Sequence, residues 1–93
     1  MKKGILEVLD NETLDNCTKE KMLFNYVKAS GGREFYSIER GHQCDQYVIN
    51  VEGALLQATK DRNNNFNVII NLGCSRYYSV GDKGFRENVE KFL

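Results

Sequence analysis

Phe66-Asn67-Val68-Ile69-Ile70-Asn71-Leu72 decides how this chain folds. Phe66, Val68, Ile70 and Leu72 fall on one side of a period-2 ribbon and Asn67 and Asn71 on the other, the pattern of a half-buried strand. Asn63-Asn64-Asn65 precedes it as a turn, because asparagine tolerates positive φ and bonds its own backbone. Gly73 follows and allows a bend or bulge, after which residues 76–80 resume as a second strand, antiparallel to the first, closed by Gly81. The stretch supplies core and not chemistry. Cys74-Ser75-Arg76-Tyr77-Tyr78 beside it brings polar, basic and aromatic groups together, so a binding surface is expected there.

Working outward, Asp82 can cap a last helix over residues 83–93, in which Phe85, Val89 and Phe92 recur at i, i+4 and i+7. On the N-terminal side, residues 52–62 read as a helix capped by Asn50, burying Val51, Ala54, Leu55 and Ala58, since alanine, leucine and glutamine favour helix. The alternative is a strand continuing past a bulge at Gly53, because Leu55, Gln57 and Thr59 alternate with Leu56 and Ala58. Residues 46–51 and 34–40 carry the β-formers of two further strands, with residues 41–44 turning the chain between them. Before these, Thr18 is the expected N-cap of a helix whose stripe is Met22, Leu23, Tyr26 and Val27, ending at Gly31-Gly32. Residues 10–16 read as a polar connector, and residues 3–9 read as a short first helix, with an entry strand as the alternative because their spacing does not decide.

The order helix, helix, strand, strand, helix, strand, strand, helix predicts a single α+β domain over residues 1–93: a small antiparallel sheet of about four strands with helices packed on one face. At 93 residues, with 41% hydrophobic and 28% charged side chains, the chain can build one small core. Thirteen basic and thirteen acidic side chains cancel, so no global field draws it to a polyanion or an anionic membrane. No apolar run reaches membrane-spanning length and the N-terminus is unlike a signal peptide, so a cytoplasmic protein is expected. Cys17, Cys44 and Cys74 are odd in number and widely spaced, which fits a reducing compartment. Proline is absent and asparagine occurs ten times, a composition associated with AT-rich genomes, phages and other mobile elements among them.

Zinc sites use ligands paired two to four residues apart, whereas His42 and Cys44 stand alone with one residue between them and Cys74 is distant. No metal and no cofactor are expected. A Cys-His nucleophile pair with Asp45 orienting the imidazole lacks any legible oxyanion loop, so catalysis is not expected either. Gly81, Lys83, Gly84 and Arg86 stand where a helix begins and form a candidate anion site, though the spacing matches no phosphate loop. Arg76, Tyr77 and Tyr78, with Tyr36 and Tyr47, have the residue types of protein-interface anchors and also of a base-stacking platform, but no basic groove accompanies them. The expectation is therefore a small non-catalytic binding protein that masks or modulates a protein partner, in the manner of a phage or mobile-element inhibitor of a host system. Homodimerisation through an edge strand goes with it. The alternative is a module for single-stranded nucleic acid or a small phosphorylated ligand.

Overall fold

The computed structural model describes residues 2–39 and 42–93, without the side chains of residues 37–39 and 42. Two helices come first, α1 (Lys2–Leu9) and α2 (Asn16–Ala29), then five strands, β1 (Arg33–Glu39), β2 (His42–Val51), β3 (Ala54–Asp61), β4 (Phe66–Gly73) and β5 (Arg76–Ser79), and finally α3 (Lys83–Phe92). The strands form one antiparallel sheet in sequence order, β1-β2-β3-β4-β5. This is the expected α+β plan with one strand more than expected.

The extra strand is β3, which corrects the helix read over residues 52–62. Val51 pairs with Ala54, leaving a two-residue turn in which Gly53 takes φ +88°, a conformation glycine adopts without a Cβ penalty. Ala54, Leu56 and Ala58 are then buried while Leu55, Gln57 and Thr59 point to the other face. Intrinsic helix preference among these residues amounts to tenths of a kcal/mol per residue. As a strand, the segment instead satisfies its backbone from β2 on one side and β4 on the other, and the ladder wins.

The core lies between one sheet face and the helices. Val68 and Ile70 of β4 are completely buried, with Leu56 and Ala58 beside them on β3 and Leu23, Phe24 and Val27 above on α2. Each such side chain contributes about 1.5–3 kcal/mol on burial, with alanine well below that range. Phe24 meets Tyr47 and Phe66 edge-on at centroid distances of 5.5 and 5.2 Å, so Tyr47 belongs to this packing. Helix α3 adds Phe85 and Val89 over β4 and β5, and α1 packs on α2 and α3 through Ile5.

Several local expectations are corrected. The N-cap of α2 is Asp15 and not Thr18: the Asp15 carboxylate accepts from the Thr18 backbone N–H at 2.7 Å. Asp82 does stand at the N-cap of α3, but its carboxylate accepts from the Ser79 N–H at 2.9 Å and so braces the turn before the helix. Of the turn read over residues 41–44, residues 42–44 belong instead to β2, where His42 pairs with Glu39, and Arg40 and Gly41 lie outside the described residues. The asparagine turn is as expected, with Asn64 at φ 61°. Asp61 supports it by accepting from the backbone N–H of Asn63 and Asn65 at 2.8 and 2.9 Å. A bulge between Asn71 and Gly73 precedes the β4–β5 turn, where Cys74 and Ser75 both take positive φ.

Candidate protein-binding face

Alternation gives the sheet two unlike faces. One is covered by α2 and α3. The other, reached by the opposite set of side chains, has no element packed on it among the described residues. The register assembles this open face row by row. Asn50, Leu55 and Asn71 lie side by side on β2, β3 and β4. The next row is Val48, Gln57 and Ile69, and the third is Gln46, Thr59 and Asn67. Phe35 extends the third row onto β1, and Tyr77 extends the first onto β5. Both aromatics are exposed, Tyr77 to 61%.

Each strand thus contributes one large apolar side chain to a belt across the sheet: Phe35, Val48, Leu55, Ile69 and Tyr77. The amides flank it, and the Asn71 Nδ2 donates to Gln57 Oε1 at 3.4 Å. A shallow trough of about 300 Å³ runs between Phe35, Val48 and Leu55. Charge is scarce. Of the thirteen basic and thirteen acidic side chains, the described part of this face holds Arg33 and Asp61. Arg33 lies 5.9 Å from the Phe35 ring, and Asp61 is turned into the 61–65 loop, where Asn65 Nδ2 also donates to it at 3.0 Å. Depletion of charge with aromatics at hand is the composition of an interface core.

The anchors expected from sequence do not share one surface. Tyr77 points out on the open face, whereas Tyr78 points the other way, against α3 at Gly84. A Cβ on Gly84 would stand 2.4 Å from the Tyr78 ring, so glycine is what lets helix and strand approach. Tyr47 is on the covered face beside Phe24, with the Lys28 ammonium 5.7 Å from its ring. Tyr36 is 61% exposed but sits on β1, four strand spacings or about 19 Å from β5, and on the face opposite to Tyr77. Arg76 is exposed at the β4–β5 turn. Phe35, Val48, Leu55, Gln57 and Ile69 were missed. The signal for them is that Tyr47-Val48-Ile49, Ala54-Leu55-Leu56 and Val68-Ile69-Ile70 put apolar residues on both parities of three strands, where an ordinary solvated face alternates.

The turn proposed for anions has its charges engaged elsewhere. Arg86 Nε and Nη2 donate to the Asp10 carboxylate at 2.7 and 2.9 Å, and Nη1 donates to Glu90 at 2.5 Å. These bonds raise the Arg86 pKa, and the Arg86 hydrogen bond holds Asp10 below the usual carboxylate range. Gly84 lies under Tyr78, Gly81 approaches Asn16, and Lys83 stands 3.9 Å from Glu87. A different cleft, of about 570 Å³ between α2 and the β3–β4 loop, is lined by Lys21, Lys28 and Lys60 with Thr18, Asn25 and Asn64 and carries no carboxylate.

The cysteines do not gather. Cys17 opens α2, Cys44 is half-buried at the start of β2, and Cys74 lies at the opposite end of the sheet. Among the described residues no three His, Cys, Asp or Glu side chains could hold a metal ion, and the His42 imidazole is outside them. None of the helices is long and apolar enough to cross a membrane among the described residues. Comparison with known protein families, with curated proteins and with solved structures gave no match.

Proposed function

We propose that this chain is a non-catalytic binding protein that masks or modulates a protein partner by laying the open face of its sheet against it. The observation that carries this reading is the belt of Phe35, Val48, Leu55, Ile69 and Tyr77, set among neutral amides on a face whose described side chains include two charges, both at its margins. Desolvating such a face costs little, because amides can exchange water for partner hydrogen bonds while the apolar belt supplies the driving force. An enzyme would want convergent titratable groups instead. The mechanism is steric occlusion, and the asparagine-rich, proline-free composition makes a mobile-element inhibitor of a host system the favoured setting.

The test is affinity capture from the native host with the wild-type chain and with Ile69→Lys, both checked for folding by circular dichroism. A partner retained in high salt by the wild type and lost by Ile69→Lys supports the reading. Equal capture by both contradicts it. A second reading, a phosphorylated ligand, is favoured by the lysine cleft between α2 and the β3–β4 loop. Titration with inorganic pyrophosphate, followed by amide shifts, supports that reading if the signals of Lys21, Lys28 and Lys60 move together at low salt. It is contradicted if they stay still.

A further inference from the structure

Across its three central strands the open face reads the same from either side. About the central strand β3, Asn50 and Asn71 flank Leu55, Val48 and Ile69 flank Gln57, and Gln46 and Asn67 flank Thr59. Each row is therefore a palindrome in chemical type: amide, leucine, amide; β-branched, glutamine, β-branched; amide, threonine, amide. The edge strands fall outside the pattern: Phe35 extends the third row and Tyr77 the first, and the second row ends in Arg33 on one edge and Ser79 on the other.

A two-fold axis lying in the interface and parallel to β3 stacks β2 on β4 of a second copy and β3 on itself. It must set residue i against j and j against i. Here Val48 meets the second copy's Ile69, Asn50 meets its Asn71, Gln46 meets its Asn67, and Leu55, Gln57 and Thr59 meet themselves. On these three strands every apolar group faces an apolar group. Every amide faces an amide, which is donor and acceptor at once and so can bond to its own kind. From this correspondence we infer that the occupant of the open face is a second copy of the chain, packed face to face as a β-sandwich with the helices outside. The inference rests on the open face being the binding surface, and it names what covers that face when no other partner does.

Electrostatics and size agree. Aligned sheets pack about 10 Å apart with their strands rotated by about 30°, so the match is closest around Gln57 and loosens toward the corners. The like-charge approach on the described face is Asp61 to Asp61 at its far end, where each carboxylate is held by the amides of its own loop. Five strands at about 4.8 Å and three rows at about 6.7 Å give a projected area of at most roughly 480 Å², below the ~800 Å² per partner of a standard interface, in keeping with a dimer that needs high micromolar concentration. Dimerisation and partner binding then compete for one face, so the dimer is the resting form and the monomer the masking one.

Sedimentation equilibrium on the full chain tests this. The wild type is expected to be dimeric at high micromolar concentration, Leu55→Lys and Ile69→Lys to weaken the dimer by about a hundredfold or more, and the edge variant Tyr36→Ser to leave it intact. A wild type that stays monomeric up to about 1 mM overturns the self-pairing. The partner-binding reading would still stand, because capture by wild type against Ile69→Lys judges it separately. A dimer lost in Tyr36→Ser and kept in both lysine variants also overturns the self-pairing, in favour of edge-strand pairing. As a check independent of the lysine variants, Gln57→Cys, with the native cysteines replaced by serine, should be joined by a short bismaleimide linker and Tyr36→Cys should not. The reverse outcome contradicts the geometry.

Discussion

Ile69 and Ile70 are neighbours on β4 with opposite fates, and they divide the molecule. Ile70 is sealed between the sheet and the helices, in contact with the core that holds α2 and α3 in place. Ile69 looks out from the uncovered side, in a row with Val48 and Gln57. The two residues are chemically identical, so their difference is wholly one of surroundings: one is enclosed by the core, and the other stays on a face that no described element covers.

Substitution should break the symmetry between them. Ile70→Ala is expected to cost about 2–5 kcal/mol in urea unfolding, the range for deleting a buried aliphatic side chain whose neighbours relax only partly. Gly84→Ala comes next, at about 1–3 kcal/mol, because the added methyl meets the Tyr78 ring and either helix or strand must shift. At the β4–β5 turn the sign reverses: Ser75→Gly should stabilise by about 0.5–1 kcal/mol by relieving a left-handed serine. Ile69→Lys should change stability by less than about 0.5 kcal/mol while abolishing association through the open face.

The smallest effect lies with charge on the helical side. Hydrogen bonding to Arg86 lowers the Asp10 pKa, and hydrogen bonding to Thr18 lowers that of Asp15. A depressed carboxylate contributes stability in full above its unfolded pKa and loses it as pH falls through its folded one. Urea midpoints should therefore drop on acidification below about pH 4. Asp10→Asn should flatten that drop, and an unchanged acid profile would contradict the Arg86 assignment. Glu20 works in the opposite sense, its pKa raised by partial burial, so it slightly opposes the drop.

The covered face was legible in the sequence because burial on one side of a strand writes a period of two, and Phe66, Val68, Ile70 and Leu72 spell it out. Residues 52–62 were misread because alanine, leucine and glutamine favour helix locally, and the competing ladders come from β2 and β4, which are remote in sequence. The open face was illegible for a related reason. Its rows join Val48 to Gln57 to Ile69 across three strands, and only the register brings them side by side. Tyrosine and arginine near one another in the chain suggest one surface at Tyr77 and Tyr78, yet adjacent residues on a strand face opposite ways, and Tyr78 packs against Gly84.

The most direct measurement is a dilution series followed by amide and methyl signals in solution NMR, from millimolar to low micromolar concentration. The account predicts that the shifts that move are those of Val48, Leu55, Gln57 and Ile69, while Ile70 and the helices stay still. Shifts confined to the β1 edge around Tyr36, or none at any concentration together with an Ile69→Lys chain that still captures the same partner, would contradict the claim that the open face is the contact surface.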